Sequence, residues 1–204
     1  MNYLAHAYLS FKKPEILVGN MISDHVKGKR QFDYEPAIQK GIKLHRAIDT
    51  FTDAHAITKQ AKQYLYPAVG TYSGAFIDVV YDHFLALDTT QFTNDSVLQK
   101  LSTDTYKTLF DFENILPEEF ANMLPYMQQH NWLYNYQYIS GIQKSFEGVA
   151  RRAKYLSSSQ SCFELFEEHY SALQDCYSSF FPFVKKMSIE FLEADNDLQP
   201  PIYL

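Results

Sequence analysis

The sequence predicts an all-α protein that folds as a single-domain helical bundle of about seven to nine helices. Three observations predict this class. Apolar residues recur mostly at spacings of three and four, and few stretches alternate with period two. Proline or asparagine stands at the start of several such stretches, where each suits a first helical turn or its cap. The chain has 204 residues, 46% of them hydrophobic, which is enough for one sizeable core.

The predicted helices follow one another along the chain. The first covers Tyr3 to Ser10, the second runs from Pro14 towards Asp24, and a long third helix begins at Pro36 after a basic loop. Later helices are expected at about 70–87, from Asn94 or Asp95 to near Phe112, at 117–130, at 131–154, and at 160–192 with a kink at Pro182. Residues 1–192 therefore form the predicted domain, and residues 193–204 form a C-terminal tail.

Composition narrows the class of protein further. The 16 tyrosines and 16 phenylalanines predict an aromatic core, and the net charge of −6 argues against nucleic acid as a partner. Cys162 and Cys176 lack Cys-x-x-Cys spacing, so we expect no thiolate zinc site and find little reason for a disulfide. No signal peptide or membrane-spanning stretch is recognisable. We therefore expect a cytoplasmic protein that does not bind a membrane.

The third predicted helix carries a polar column in the stretch GIKLHRAIDTFTDAH. His45, Asp49 and Asp53 are four residues apart, and each step of four moves only about 40° round a helix. Their side chains therefore share one face. Such a column either faces water or holds something positive.

The helix expected at about 70–87 also places acidic and imidazole groups in apolar surroundings. Asp78, Asp82 and His83 lie in SGAFIDVVYDHFLAL, which is apolar nearly all round and is expected to be buried. Burying an ionised carboxylate without a partner costs several kcal/mol or more. A metal ion, or an ion pair with a residue such as Arg46, would offset that cost. If this helix faces the column on the third helix, the two sets of side chains together offer nitrogen and oxygen donors without sulfur. Such a donor set suits Mn²⁺, Fe²⁺ or Mg²⁺.

Several blocks of the sequence, taken in order, resemble the signature blocks of the acyl carrier protein phosphodiesterase family, also called acyl carrier protein hydrolases. The blocks are NYLAHAYLS, GNMISDHVKG, GIKLHRAIDTFTD, DVVYDHFLA and NWLYNY followed by ARR. The resemblance extends from Met1 to about Phe183. It implies an all-helical fold related to the HD-domain metal-dependent phosphohydrolases, although the adjacent pair here reads Asp82-His83 and not His-Asp.

The resemblance also implies an activity. Members remove the 4′-phosphopantetheine arm from holo-acyl carrier protein by hydrolysing its phosphodiester, and they prefer Mn²⁺. We expect Asp24, His45, Asp82 and His83 to include the main ligands, with His6 and Asp49 as further ligands or their hydrogen-bond partners. Asp78 is expected to orient a ligand histidine or to act as the base for water.

Two further residues are expected to contact the substrate. Arg46 is expected to contact a phosphate oxygen or, equally, to pair with Asp49 three residues on. Asn20 is expected to hydrogen-bond the substrate or to cap the turn before Asp24.

An acidic carrier protein needs a basic docking patch on a chain that is itself net negative. The stretch VKGKR supplies Lys27, Lys29 and Arg30, and ARRAK supplies a second cluster at residues 151–154. The first cluster is the better candidate because it lies beside Asp24.

Two other functions remain open from the sequence. One is an HD-type phosphohydrolase that acts on a nucleotide or another small phosphodiester with the same metal chemistry. The other is a non-catalytic helical binding module, in which the acidic and histidine side chains form buried ion-pair networks with Arg46.

Overall fold

The computed structural model describes residues 1–194, and in this part of the chain every regular element is helical. Four short 3-10 helices lie between eleven α-helices. The α-helices are α1 (Tyr3–Tyr8), α2 (Pro14–Ile22), α3 (Pro36–Ala54), α4 (Ala56–Val69), α5 (Ser73–Leu87), α6 (Asp95–Asp111), α7 (Glu118–Gln129), α8 (Trp132–Asn135), α9 (Ile139–Arg152), α10 (Gln160–Glu168) and α11 (Tyr170–Ala194). The predicted all-α class is confirmed. The predicted tail, apart from its first two residues, lies outside the described residues.

The predicted helices in the first half of the chain are found close to their expected bounds. Pro14 and Pro36 occupy the first turns of α2 and α3, and the side chain of Asn94 caps α6 by accepting from the Val97 amide. Residues 28–33, predicted as loop, form a 3-10 helix. Local sequence signals therefore set these boundaries.

The second half contains more helices than predicted. The expected helix at 131–154 is divided into α8 and α9, and the expected helix at 160–192 is divided at His169 into α10 and α11. Pro182 lies inside α11, which continues through it to Ala194. The helix α4 was not predicted, although Ala61, Leu65 and Val69 are buried at a spacing of four.

Aromatic side chains fill much of the core, as the composition predicts. Eight of the largest fully buried side chains are aromatic: Tyr81, Phe76, Phe84, Phe120, Phe146, Phe166, Phe180 and Phe181. Cys162 and Cys176 are both buried and free, and burial raises the pKa of each thiol. Within residues 1–194, no helix combines the length and the apolar character that crossing a bilayer requires.

The helices α2 and α3 cross at a pair of buried glycines, Gly19 and Gly41. A Cβ atom placed on either glycine would lie 2.9 Å from the Cα of the other, and it would also overlap a backbone carbonyl of the facing helix. Side chains do not fit at this crossing, because such short Cβ contacts are not tolerated. The two backbones therefore approach closely beside Asn20 and upstream of His45.

We expect Gly41→Ala to lower the free energy of unfolding by about 3 kcal/mol, because the added methyl group overlaps the α2 backbone and nothing flexible can move aside. Urea denaturation measures this change. Gly148→Ala in α9 is the matched control, since a Cβ there meets nothing closer than 3.7 Å. The control is expected to gain up to about 1 kcal/mol. Equal stability of the two variants would contradict the close-crossing interpretation.

Candidate metal centre

Two helices bring two histidines and one aspartate together. His6 lies on α1, and His45 and Asp49 lie one turn apart on α3. One ligand atom from each of these residues lies within 4.8 Å of the others. Both imidazoles are almost fully buried, and the Asp49 side chain keeps 39% of its exposure. The group therefore has the composition and spacing of a metal site that opens on one side.

Asn20 on α2 orients both imidazoles. Its side-chain nitrogen donates to the carbonyl of His6 and to the Ser10 hydroxyl, so its side-chain oxygen faces Nδ1 of His6 at 2.8 Å. The backbone carbonyl of Asn20 accepts from Nδ1 of His45 at 2.7 Å. Each Nδ1 therefore carries a proton, and each Nε2 is directed into the cluster.

The predicted contact between Asn20 and the substrate does not agree with the structure. Asn20 is fully buried, and its side-chain atoms are all engaged within the protein. It holds the histidines in place and does not reach the surface.

His6 presents a lone pair to a carboxylate oxygen. Burial lowers the pKa of His6 to about 4, and the nearby charge of His45 adds to the effect. Since Nδ1 holds the proton, Nε2 of the neutral ring is an acceptor, as is Oδ1 of Asp49 at 3.3 Å. Both atoms are buried without a hydrogen-bond partner. Two acceptors that face each other in the core are the arrangement that a cation satisfies.

His45 is held differently by its neighbours. Its Nε2 lies 3.1 Å from Asp24 and 3.1 Å from Asp49. Burial opposes the charged ring, but the hydrogen bonds to the two carboxylates outweigh it and raise the pKa of His45 to about 9. In turn, the hydrogen bond from His45 lowers the pKa of Asp24. The proton on Nε2 thus occupies the position in which a metal ion would be bound.

The two imidazole rings stack with their centroids 3.9 Å apart and their planes within 14°. Two positive rings at this distance would repel strongly in a buried setting. One neutral and one protonated ring relieve that repulsion when no metal is bound. With a metal ion both rings would be neutral ligands, so the stack favours metal binding over double protonation.

Asp24 stands at the open side of the cluster. It lies in a 3-10 turn after α2, and its side chain is 72% exposed. The basic residues Lys27, Lys29 and Arg30 follow it in the chain and are all exposed. Asp24 is therefore followed within six residues by three exposed cations.

Asp78 comes close to the cluster but is held by an amino group. The amino group of Met1 lies 2.7 Å from Asp78 and 3.6 Å from Asp49. Burial raises the pKa of Asp78 even with that partner. Asp78 makes no hydrogen bond to His6 or His45, so the predicted orienting role is not found, and the role of base stays a prediction.

Asp82 and His83 are not brought into the cluster, which corrects their prediction as metal ligands. The buried carboxylate of Asp82 accepts from the backbone amides of Asn2, Leu4 and Ala5 at the start of α1. It anchors the helix that carries His6, so its loss would unpair three amides whatever the function.

His83 points to a different side of α5 from Asp82, and both of its ring nitrogens have partners there. Its Nδ1 donates to the carbonyl of Tyr136 at 2.6 Å, and its Nε2 accepts from the Tyr170 hydroxyl at 2.8 Å. Burial lowers the pKa of His83, so the ring is neutral. The adjacency of Asp82 and His83 suggested a ligand pair, but consecutive residues of a helix point about 100° apart.

Arg46 does not pair with Asp49, and its contact with a phosphate stays a prediction. Its guanidinium donates to the side chain of Gln31 at 2.8 Å and to the carbonyl of Val26 at 3.1 Å. It thereby holds the segment that carries the basic residues.

Asp53, the third member of the predicted column, pairs with Lys62 at 2.6 Å and lies outside the cluster.

Comparison with known proteins identifies the family of this chain. The family model described as acyl carrier protein phosphodiesterase matches residues 1–184. Proteins named acyl carrier protein phosphodiesterase from Yersinia pestis and Klebsiella pneumoniae (strain 342) are each 30% identical to this chain. These matches cover 89% and 92% of this chain and 94% and 97% of the relatives. The protein of that name from Photorhabdus laumondii subsp. laumondii is 27% identical over 90% of this chain and 93% of its own.

No solved structure matches the chain, so the predicted relationship to the HD-domain fold stays a prediction. The sequence matches nonetheless cover nearly the whole described part of the chain. The chain therefore belongs to the acyl carrier protein phosphodiesterase family.

Proposed function

We propose that the protein hydrolyses the phosphodiester that joins the 4′-phosphopantetheine arm to holo-acyl carrier protein, and that a divalent cation at the cluster supports the reaction. The observation that carries the proposal is a pair of buried acceptors without a hydrogen-bond partner, Nε2 of His6 and Oδ1 of Asp49. The Met1 amino group lies 3.6 Å from that oxygen, beyond hydrogen-bond distance. The names of the relatives supply the substrate. A cytoplasmic location remains a prediction.

The proposed ligands are His6, His45 and Asp49, with Asp24 at the open side. Both carboxylates already face Nε2 of His45, so replacement of its proton by a cation keeps these partners. Neutral imidazole and carboxylate donors without sulfur suit Mn²⁺, with Mg²⁺ or Fe²⁺ as alternatives. Such an ion would neutralise phosphoryl charge and acidify a water molecule.

The chain's own residues hold this chemistry in place. Asn20 keeps both Nδ1 atoms protonated and both Nε2 atoms available, and Asp82 anchors the helix that bears His6. The water oxygen bonds to phosphorus, the bond from phosphorus to the carrier's serine oxygen breaks, and that oxygen takes up a proton. The products are apo-carrier and 4′-phosphopantetheine.

We expect the protein with Mn²⁺ to remove the arm from holo-acyl carrier protein. Intact-protein mass spectrometry should then show the mass of the carrier fall by the mass of the arm. Asp49→Asn removes a charged ligand and should reduce the rate by about 100-fold or more. Asp53→Asn is the matched control, since Asp53 lies one turn further along α3 and outside the cluster. An unchanged carrier mass together with nucleotide hydrolysis would instead identify a small-substrate phosphohydrolase.

We expect Mn²⁺ binding near pH 7.5 to release about one proton per site. The pKa of His45 is raised to about 9, so its ring is protonated there and must lose Nε2–H to bind metal. His6, with its pKa lowered to about 4, is already neutral and releases none. Calorimetric titration in buffers of different ionisation enthalpy counts the protons. The release should fall towards zero above the pKa of His45, and absence of release near pH 7.5 would rule out His45 as a ligand.

We expect charge reversal of Lys27, Lys29 and Arg30 to raise KM for the holo-carrier about tenfold or more. These residues are exposed next to Asp24, and an acidic carrier would meet them as it enters the site. Hydrolysis of bis(p-nitrophenyl) phosphate should stay unchanged. Reversal of the exposed Lys59, Lys107 and Lys186 gives the same net charge on other helices and serves as the control. An equal loss on both substrates would contradict docking through this cluster.

A further inference from the structure

The segment that carries the proposed docking cations has little packing of its own. Residues 28–33 form a 3-10 helix in which no side chain is buried, and Lys27, Lys29 and Arg30 are all exposed. Gly28 lies in the left-handed region, with a φ of 58°, and begins this helix directly after Lys27. A segment with so few buried apolar contacts is not held in place by the hydrophobic core.

Hydrogen bonds from α3 hold this segment instead. The guanidinium of Arg46 donates to the carbonyl of Val26 at 3.1 Å and to the side-chain oxygen of Gln31 at 2.8 Å. Val26 precedes the first of the three cations and Gln31 follows the last one, so the two bonds fasten both ends of the basic stretch. The side chain of Gln39, also on α3, donates to the carbonyl of Tyr34 just beyond the segment, at 2.7 Å.

Arg46 connects the basic segment to the helix turn that bears a proposed metal ligand. It directly follows His45, and consecutive residues of a helix point about 100° apart, so His45 is buried in the cluster while Arg46 is exposed. Asp24, which lies 3.1 Å from Nε2 of His45, is two residues before Val26. The bond from Arg46 to Val26 therefore fixes the start of the segment relative to the metal centre.

This arrangement affects how strongly the segment can bind an acidic partner. Lys27, Lys29 and Arg30 stand within four residues and repel one another. A partner that binds a loosely held segment must first order it, and this ordering reduces the affinity. A segment that Arg46 already holds avoids most of that loss. The guanidinium bonds go to neutral oxygens, so they leave the positive charge of the segment uncompensated.

We propose that Arg46 is a positioning residue for docking of the carrier, because it holds residues 26–33 against α3 and so fixes the three cations that follow Asp24. The proposal rests on the proposed function, since that function makes an acidic carrier the partner of these cations. It gives Arg46 a role that acts through the protein's own segment and differs from the expected contact with a phosphate oxygen.

Gln31→Ala tests the proposal without a change of charge. It removes one acceptor of the Arg46 guanidinium, so we expect KM for the holo-carrier to rise about fivefold while kcat stays within about twofold. Hydrolysis of bis(p-nitrophenyl) phosphate should stay unchanged. Gln143→Ala, at an exposed position of α9, is the matched control and should leave both substrates unaffected. An unchanged KM for Gln31→Ala would overturn the proposal.

A double-mutant cycle separates the positioning role from a contact with phosphate. Arg46→Ala removes both bonds and should raise KM for the holo-carrier at least as much as Gln31→Ala does. Adding Gln31→Ala to Arg46→Ala should then have no further effect, because the shared bond is already lost. Lys43→Ala, at an exposed position of the same helix, controls for the loss of one positive charge. Additive effects, with an equal loss on both substrates, would assign Arg46 to the phosphate and overturn the proposal.

Hydrogen exchange followed by mass spectrometry supplies a measurement that does not depend on catalysis. In the protein without added metal, we expect Arg46→Ala and Gln31→Ala to speed amide exchange in residues 26–33 and to leave exchange in α9 unchanged. Exchange in residues 26–33 that neither variant speeds would contradict the positioning role.

Direct calorimetric binding of apo-carrier distinguishes failure of this proposal from failure of the proposed function. Binding that Gln31→Ala and Arg46→Ala both weaken, together with no hydrolysis of holo-carrier, would support the positioning role and reject the activity. Hydrolysis of holo-carrier with a KM that Gln31→Ala leaves intact would do the reverse.

Discussion

The candidate site depends on the close crossing of α2 and α3 at Gly19 and Gly41. Because neither glycine carries a side chain, the two backbones approach closely enough for the carbonyl of Asn20 to accept from Nδ1 of His45. The Asn20 side chain points the other way, towards His6 on α1. One residue thereby fixes the tautomer of both imidazoles, and a wider helix spacing would separate these roles. The packing of two helices thus decides the chemistry of the cluster.

Once the histidines are fixed, electrostatics determines what the cluster can hold. Two stacked rings cannot both be charged, and two buried acceptors cannot satisfy each other. Without a metal, one proton on His45 and the amino group of Met1 supply the positive charge that Asp49 requires. A divalent cation would supply that charge at the point where the lone pairs already converge. The carboxylates and imidazoles therefore suit the proposed role, in which a metal ion would replace a proton.

The fold class and the four residues of the candidate cluster could be predicted from the sequence, and the reasons for the wrong assignments are physical. Helical spacing is a local property, so the pairing of His45 with Asp49 could be predicted from their separation of four. Which faces of two helices meet is not local. Asp82 and His83 looked like ligands because buried polar groups need partners, but their partners are backbone amides, a carbonyl and a tyrosine hydroxyl. The helix α4 was missed even though its buried residues repeat at a spacing of four.

The distribution of charge explains how a net negative protein could receive an acidic partner. The carboxylates of the candidate site face inwards or lie at its mouth, where a cation and His45 would offset them. Lys27, Lys29 and Arg30 are exposed and follow Asp24 within six residues of the chain. Two donors of the Arg46 guanidinium bind Val26 and Gln31 and so hold the segment that carries these cations. Within about one Debye length, roughly 8 Å at physiological salt, a carrier would therefore meet local positive charge before it met the net charge of the whole chain.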